Sequence, residues 1–495
     1  MERKKSTVSR RSFLVGGVSA SAVLGSSQAQ VRTSTEQSGA VMSKLASFVA
    51  GLQYDAIPPG AVQTARIAIM DSLGVSIAGG REESAVINGK LIREEKAKEE
   101  TTVYGQRFKS SATQAAFVNG IASHAHDFDH SYVLGGQPTS PIIPAVFALG
   151  EAIGASGKQI LEGYIAGFDV TSRIIFSVQG AGGTGWHANG TIGVFGAAAA
   201  SAKLLRLKEP EIEIALAMAA SMASGVTSNF GTMTKPLHVG LAARNGVLAA
   251  LLARAGYTAN RQTLEARNGF FDCYYHGGKL DLAPFDDLGR VFALEKYAVR
   301  FKPYPCGGLT HTSIYATIRL QSEHQITPQL VDHVDVEVPA DTATPLVYRI
   351  PKTGLEGKFS MPYLIARALI DGKIMLDTFT DEAVRNQEVL QLLEKVEMKV
   401  DPNLQSGSDG SRPGTVKIRL KNGQTYTQHE KFPKGSPQVP MSTDELQEKF
   451  RACARGVISE TSANRVLAQV ARLEALESIR PLTELLRGSP IRKDG

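Results

Sequence analysis

Cysteine is nearly absent: Cys273, Cys306 and Cys453 are the three in 495 residues, and they lie far apart. That spacing excludes a disulfide framework and a CxxC zinc or redox site, and it leaves at least one thiol unpaired. Charge of one sign is also scarce. The formal net charge is +6, but residues 1–29 hold five basic residues and one acidic, so the remainder has 49 basic against 47 acidic. A body that close to neutral has no general footprint for phosphate backbones, which excludes nucleic acid as a partner. Beyond the first thirty positions no run of about 20 uninterrupted apolar residues reads as a membrane span. What is present is ordinary for a globular chain, with 43% hydrophobic and 21% charged residues. Disordered and collagen-like classes are excluded, and the length allows up to about three domains.

The start, a basic stretch with the pair Arg10-Arg11 before Ser12-Phe13-Leu14, a weakly apolar run to Leu24 and then Ser27-Gln28-Ala29, reads as a twin-arginine export signal over 1–29. The alternative is a basic tail. The expectation is a periplasmic protein with no membrane contact after cleavage.

The mature chain divides by pattern. From about Ser43 to Tyr257 the periodicity is helical: Pro58-Pro59 opens a segment in which Ile67, Met70, Gly74 and Ile77 recur at three- and four-residue steps. Ser156 precedes a second helix, Gly193–Ala202 and Ala215–Ala223 are rich in small residues that let helix axes approach closely, and Gly256 follows a helix end. After about Val299 strands enter. Val331–Val338 and Val396–Val400 alternate, and Val416–Leu420, Asn422-Gly423 and Gln424–Thr427 form a hairpin signature. Helical patterning resumes at Ser442. The fold class is therefore mainly α: a large all-helical domain over 40–298, completed by 441–490, plus a smaller α+β lid domain over 299–440.

Five of the ten histidines, His124, His126, His130, His187 and His238, fall in segments that also carry Asp127, Asp129 and Lys235. If His124–Ser131 were helical, His124, Asp127 and Ser131 would share one face and present a carboxylate between hydrogen-bonding neighbours. The His-x-His pattern also admits a zinc or iron reading; against it, Gln114–Ser123 reads as helix, and the expectation is no metal. A solvated surface is the bland alternative. Gly180-Ala-Gly-Gly-Thr-Gly185 matches the dinucleotide fingerprint, but the surrounding helical pattern lacks a βαβ unit and the following acidic residue, so no nucleotide cofactor is expected. That loop instead delivers Trp186 and His187 to a cleft, unless His187 is only a satisfied core histidine. Thr234-Lys-Pro-Leu-His238 sets Lys235 and His238 beside a helix start, and Arg300-Phe-Lys-Pro-Tyr-Pro-Cys306 is a second cationic element at the domain boundary. Together they imply a small acidic ligand between domains.

These stretches together resemble the MmgE/PrpD family. The resemblance rests on Met70-Asp-Ser-Leu-Gly74, His124-Ala-His-Asp-Phe-Asp129, Gly154-Ala-Ser-Gly-Lys158, Gly185-Trp-His187, Thr234–His238, Phe301–Cys306 and Phe359-Ser-Met-Pro-Tyr363, in that order. It implies a cofactor-independent lyase, commonly a homodimer, acting on a small polycarboxylate. Catalytic positions become Asp127, His187, Lys235, Lys302 and Tyr363, with Ser131, Gln137, His238 and Cys306 as substrate-binding positions. Two departures stand out: family members often have histidine where this chain has Gln137, and decarboxylase-like members have one where Gly307 falls. The expectation is dehydration of the 2-methylcitrate type, with loss of carbon dioxide second and epimerisation, using Cys306 as a second acid/base, as a further alternative. Because glutamine does not trade protons near neutral pH, a non-catalytic exported binder of acidic metabolites is the competing class.

Overall fold

The computed structural model describes residues 40–132, 136–179, 185–297, 299–407 and 409–489; the export-signal segment lies outside them, as does most of the Gly180–Gly185 motif. Helix starts follow local chemistry. Pro59 opens the helix Pro59–Gly79, where a missing N–H costs nothing. Ser156 and Gln159 form a reciprocal capping box on Gly157–Ser177, and Ser442 and Glu445 do the same on Thr443–Ala454. Thr234–Arg254 ends just before Gly256, whose φ of +86° suits a left-handed stop.

Close helix approach explains the small residues. A Cβ on Gly120 would lie 2.8 Å from the Gly240 Cα, and one on Gly246 would lie 2.4 Å from the Ala197 Cβ. Thr234–Arg254 is thus wedged between Ala112–His124 and Gly193–Leu204 with backbones nearly touching. By length and composition this helix could cross a membrane, but its Val239, Ala243, Val247 and Ala250 are buried in the core.

Two large hydrophobic cores and a small cluster around Phe128 and Cys453 result among the described residues, and the protein is mainly α with small sheets. The first runs from Val41 to partly buried Phe301 and resumes at Met441, taking in Phe450, Val466 and Leu482. Phe450 fills the space beside Gly74, where an added Cβ would meet its ring at 2.8 Å. The second core spans Tyr304 to Leu420 on a four-stranded sheet in the order Val396–Val400, Val331–Val338, Gly414–Leu420, Thr425–Glu430. The first pair is parallel and the others antiparallel. Buried Val331, Val334, Val336 and Val338 break strict alternation once, at a register shift between Val331 and His333. One extra residue there restores the inward face. The hairpin closes at Gly423, φ +89°.

Candidate active site

The helix Ala112–His124 ends at His124, not beyond it, so Asp127 and Ser131 are not on a helix face with it. Asp127 instead takes a left-handed backbone, φ +52°, a conformation that costs a non-glycine residue about 1–3 kcal/mol and persists where surroundings over-determine it. Those surroundings are two ammonium groups. Lys235 Nζ donates to Asp127 Oδ1 at 2.9 Å, and Lys302 Nζ lies 3.0 Å from the same oxygen while donating to the Asp127 carbonyl at 2.7 Å. Lys302 also reaches the Cys306 carbonyl at 3.2 Å. Opposite charges about 4 Å apart attract by roughly 4 kcal/mol at an effective dielectric near 20. Burial alone would raise the Asp127 pKa, yet Lys235 and Lys302, with His124, overcome it and hold the carboxyl well below the usual range.

His187 sits between these cations and aromatic rings. Its Nδ1 lies 3.1 Å from His238 Nδ1, and its ring meets Phe230 edge-on and packs near His124. Burial, followed by repulsion from His124, Lys235 and His238, pushes its pKa down to about 2. His238 is also lowered, mainly by burial. Both rings are neutral at physiological pH, and His187 Nε2 has no partner among the described residues.

The other histidines point elsewhere. His124 Nδ1 bonds Asp129, which Ser140 also holds, and His124 Nε2 is buried without a partner. His130 bridges Asp71 and Thr139, with Lys449 behind Asp71. His126 is buried beside Lys358, which donates to its carbonyl at 2.9 Å. His124, Asp127 and Asp129 do bring ligand atoms within 4.8 Å of one another. His124 Nδ1 and both carboxylates are already engaged, leaving only His124 Nε2 without a partner, and the two ammonium groups beside Asp127 oppose a dication.

A cleft of about 460 Å³ is lined by Asp127, Ser131, Gln137, His187, Lys235 and Lys302 together. Ser131 arrives through a two-residue ladder in which Ser131–Tyr132 pairs with Val299–Arg300. Gln137 is locked to Asn189: its N–H donates to Asn189 Oδ1 and its Oε1 accepts from Asn189 Nδ2, each at 2.8 Å. Gly307 and Gly308 line the cleft wall. Trp186 also reaches the cleft.

Three expectations need correction. Tyr363 is wholly buried in the second core, its hydroxyl donating to the Thr378 carbonyl, and does not line the cleft. It lies in the first turn of Met361–Asp371, where Ser360 caps its N–H, and its ring packs in the second core. Cys306 is buried against Thr310 with its thiol pushed up to about 12 by burial, so it offers no second acid/base. His238 stands behind His187 and not on the cleft wall. Sequence reasoning missed Arg412, Phe230 and Asn189 as cleft residues, and gave Arg300 no role of its own. Arg300 had a signal, its place in the cationic segment; Arg412 lies in an aperiodic stretch with none.

Comparison with known proteins agrees with this architecture. Residues 43–283 match the MmgE/PrpD N-terminal domain and residues 304–475 the MmgE/PrpD C-terminal domain. Cis-aconitate decarboxylase of Mus musculus is 30% identical over 471 residues, covering 92% of this chain and 95% of that protein. The Homo sapiens protein of the same name is 29% identical, covering 90% and 95%, and that of Aspergillus terreus is 28% identical, covering 92% and 98%. With both domains matched and a relative at this identity over nearly its whole length, the chain belongs to the MmgE/PrpD family.

Proposed function

We propose that the protein is a lyase acting on a small di- or tricarboxylate, and that it eliminates water beside a carboxylate. The observation that carries this reading is a neutral imidazole, His187, next to two ammonium groups converging on one buried carboxylate inside a single cleft. His187 takes the proton from the carbon next to a substrate carboxylate. The electron pair left behind forms the double bond as the carbon–oxygen bond breaks, and the imidazolium returns its proton to the departing hydroxyl. His187 starts and finishes neutral, so no net proton is consumed. Lys235 and Lys302 stabilise the enediolate charge that develops, an effect that is largest where water is excluded. Asp127 orients the ammonium groups, since both contact its Oδ1. Gln137 supplies hydrogen bonds and no proton. The steps use the chain's own residues and call for no cofactor.

A second reading is loss of carbon dioxide, supported by relatives named cis-aconitate decarboxylase. It requires His187 to enter as imidazolium, since a proton must be delivered to the carbanion. Incubation with citrate and with cis-aconitate, followed by NMR and carbon dioxide release, separates the two. An unsaturated acid formed from a hydroxy acid without gas supports elimination. Gas and a five-carbon unsaturated dicarboxylate from cis-aconitate select decarboxylation. Binding without turnover of any polycarboxylate supports the non-catalytic binder. We also propose that Arg10-Arg11 directs export; replacing both with lysine should retain the protein in the cytoplasmic fraction. Homodimerisation is proposed likewise, with light scattering as its check.

A further inference from the structure

We propose that Arg300 and Arg412 form a second carboxylate subsite in the same cleft, which holds an arm of the substrate that Lys235 and Lys302 do not. The inference rests on the polycarboxylate reading above and deepens it to a tricarboxylate, two of whose carboxylates meet the lysines while the third meets the arginines.

Both arginines line the cleft with His187 and the lysines. Arg300 is only 5% exposed, yet it forms no ion pair among the described residues; its Nη2 donates to the Gly410 carbonyl at 2.7 Å and its Nε is buried without a partner. Buried Arg173, Lys302 and Lys449 each hold a carboxylate. Burying a guanidinium costs several kcal/mol unless an anion compensates, and Arg412 adds repulsion, since the two are near enough to interact. Arg412 is paired with Asp341 at 3.0 Å, but that carboxylate is half exposed and its hold is weak. A buried guanidinium with no anion beside it and an unpartnered Nε–H, next to a second guanidinium, is matched to a carboxylate.

Charge leads to the same class of ligand. Lys235, Lys302, Arg300 and Arg412 contribute four positive charges to the lining, against Asp127 there and Asp341 behind Arg412. The excess suits a dianion or a larger polyanion. Position agrees as well: Arg300 lies opposite Ser131 in the short ladder, so the backbone that follows Asp127 also places Arg300.

The test uses calorimetric binding of two unreactive probes to the full protein. These are tricarballylate and succinate, which lacks one acetate arm. Wild type should bind tricarballylate more tightly by about 10- to 100-fold, the range for one charged hydrogen-bonding contact. Arg412→Gln and Arg300→Lys should bring tricarballylate close to succinate while changing succinate less than about threefold, whereas Lys235→Gln should weaken both. Arg412 is partly exposed, so its variant reports even if Arg300 variants fold poorly. Equal loss for both probes in the arginine variants, or no preference in wild type, overturns the subsite. Binding needs no turnover, so discrimination without any product would retain the subsite and sink the lyase reading, and turnover without discrimination would do the reverse.

Discussion

At the scale of single residues, the site is a balance between burial and neighbouring charge. Asp127 stays ionised because Lys235 and Lys302 outweigh its desolvation, while His187 stays neutral because burial and nearby cations both act against its proton. Lys235→Ala should lower kcat/KM on the true substrate by about a thousandfold, in the range for removing one preorganised charge donor; wild-type turnover would remove that lysine from the mechanism. Acid sensitivity follows from the histidines. His126 and His187 are pushed down to about 3 and about 2, chiefly by burial. An unfolded chain binds protons at these rings near pH 6.5, so it binds more protons than the folded state below that pH. Stability therefore falls as pH drops from about 6.5, and each ring costs about 2 kcal/mol by pH 5. Depressed carboxylates such as Asp127 lose their contribution only below about pH 4. Urea unfolding at pH 7.5 and pH 5.0 should show His126→Gln losing less stability than wild type over that interval; an equal loss would mean that His126 does not carry this sensitivity.

At the scale of elements, local chemistry placed most helix and strand limits. Ser156, Ser442, Pro59 and Gly256 are legible because each acts on the backbone within four residues. Ser442→Ala should cost about 1 kcal/mol of stability by removing one cap bond, readable in a thermal melt. The turn after His124 was not legible, since three histidines and two aspartates at helical spacing suit a helix as well as a turn, and only Lys235 and Lys302 decide which. The bulge in Val331–Val338 is similar: the valines point inward only because the neighbouring strand Gly414–Leu420 allows the extra residue. Close helix crossings make a stronger prediction. Gly240→Val would drive its Cβ toward the Phe117 carbonyl oxygen, 2.5 Å from where it would sit. Overpacking of this kind typically costs about 1–3 kcal/mol, with more expected here because backbone is struck; an unchanged unfolding midpoint would contradict the crossing.

At the scale of the whole molecule, the chain leaves its first core, builds a second around the four-stranded sheet, and returns with its last helices to close the first. Phe450 is the clearest sign of the return, packed against Gly74. Phe450→Ala should lower stability by about 3–5 kcal/mol, measured by denaturant unfolding; a value near zero would mean that the C-terminal helices are not integral to that core. The amino-acid order by itself determined the mainly α character, the hairpin, the capped helix starts and the set of charged residues worth following, because each depends on residues a few positions apart. Tertiary structure alone decided that Lys235 and Lys302, 108 and 175 positions from Asp127, meet on its carboxylate, that Arg412 joins Arg300, and that Tyr363 and Cys306 turn into the second core. Such meetings are set by which apolar faces pack together, and no spacing along the chain records that.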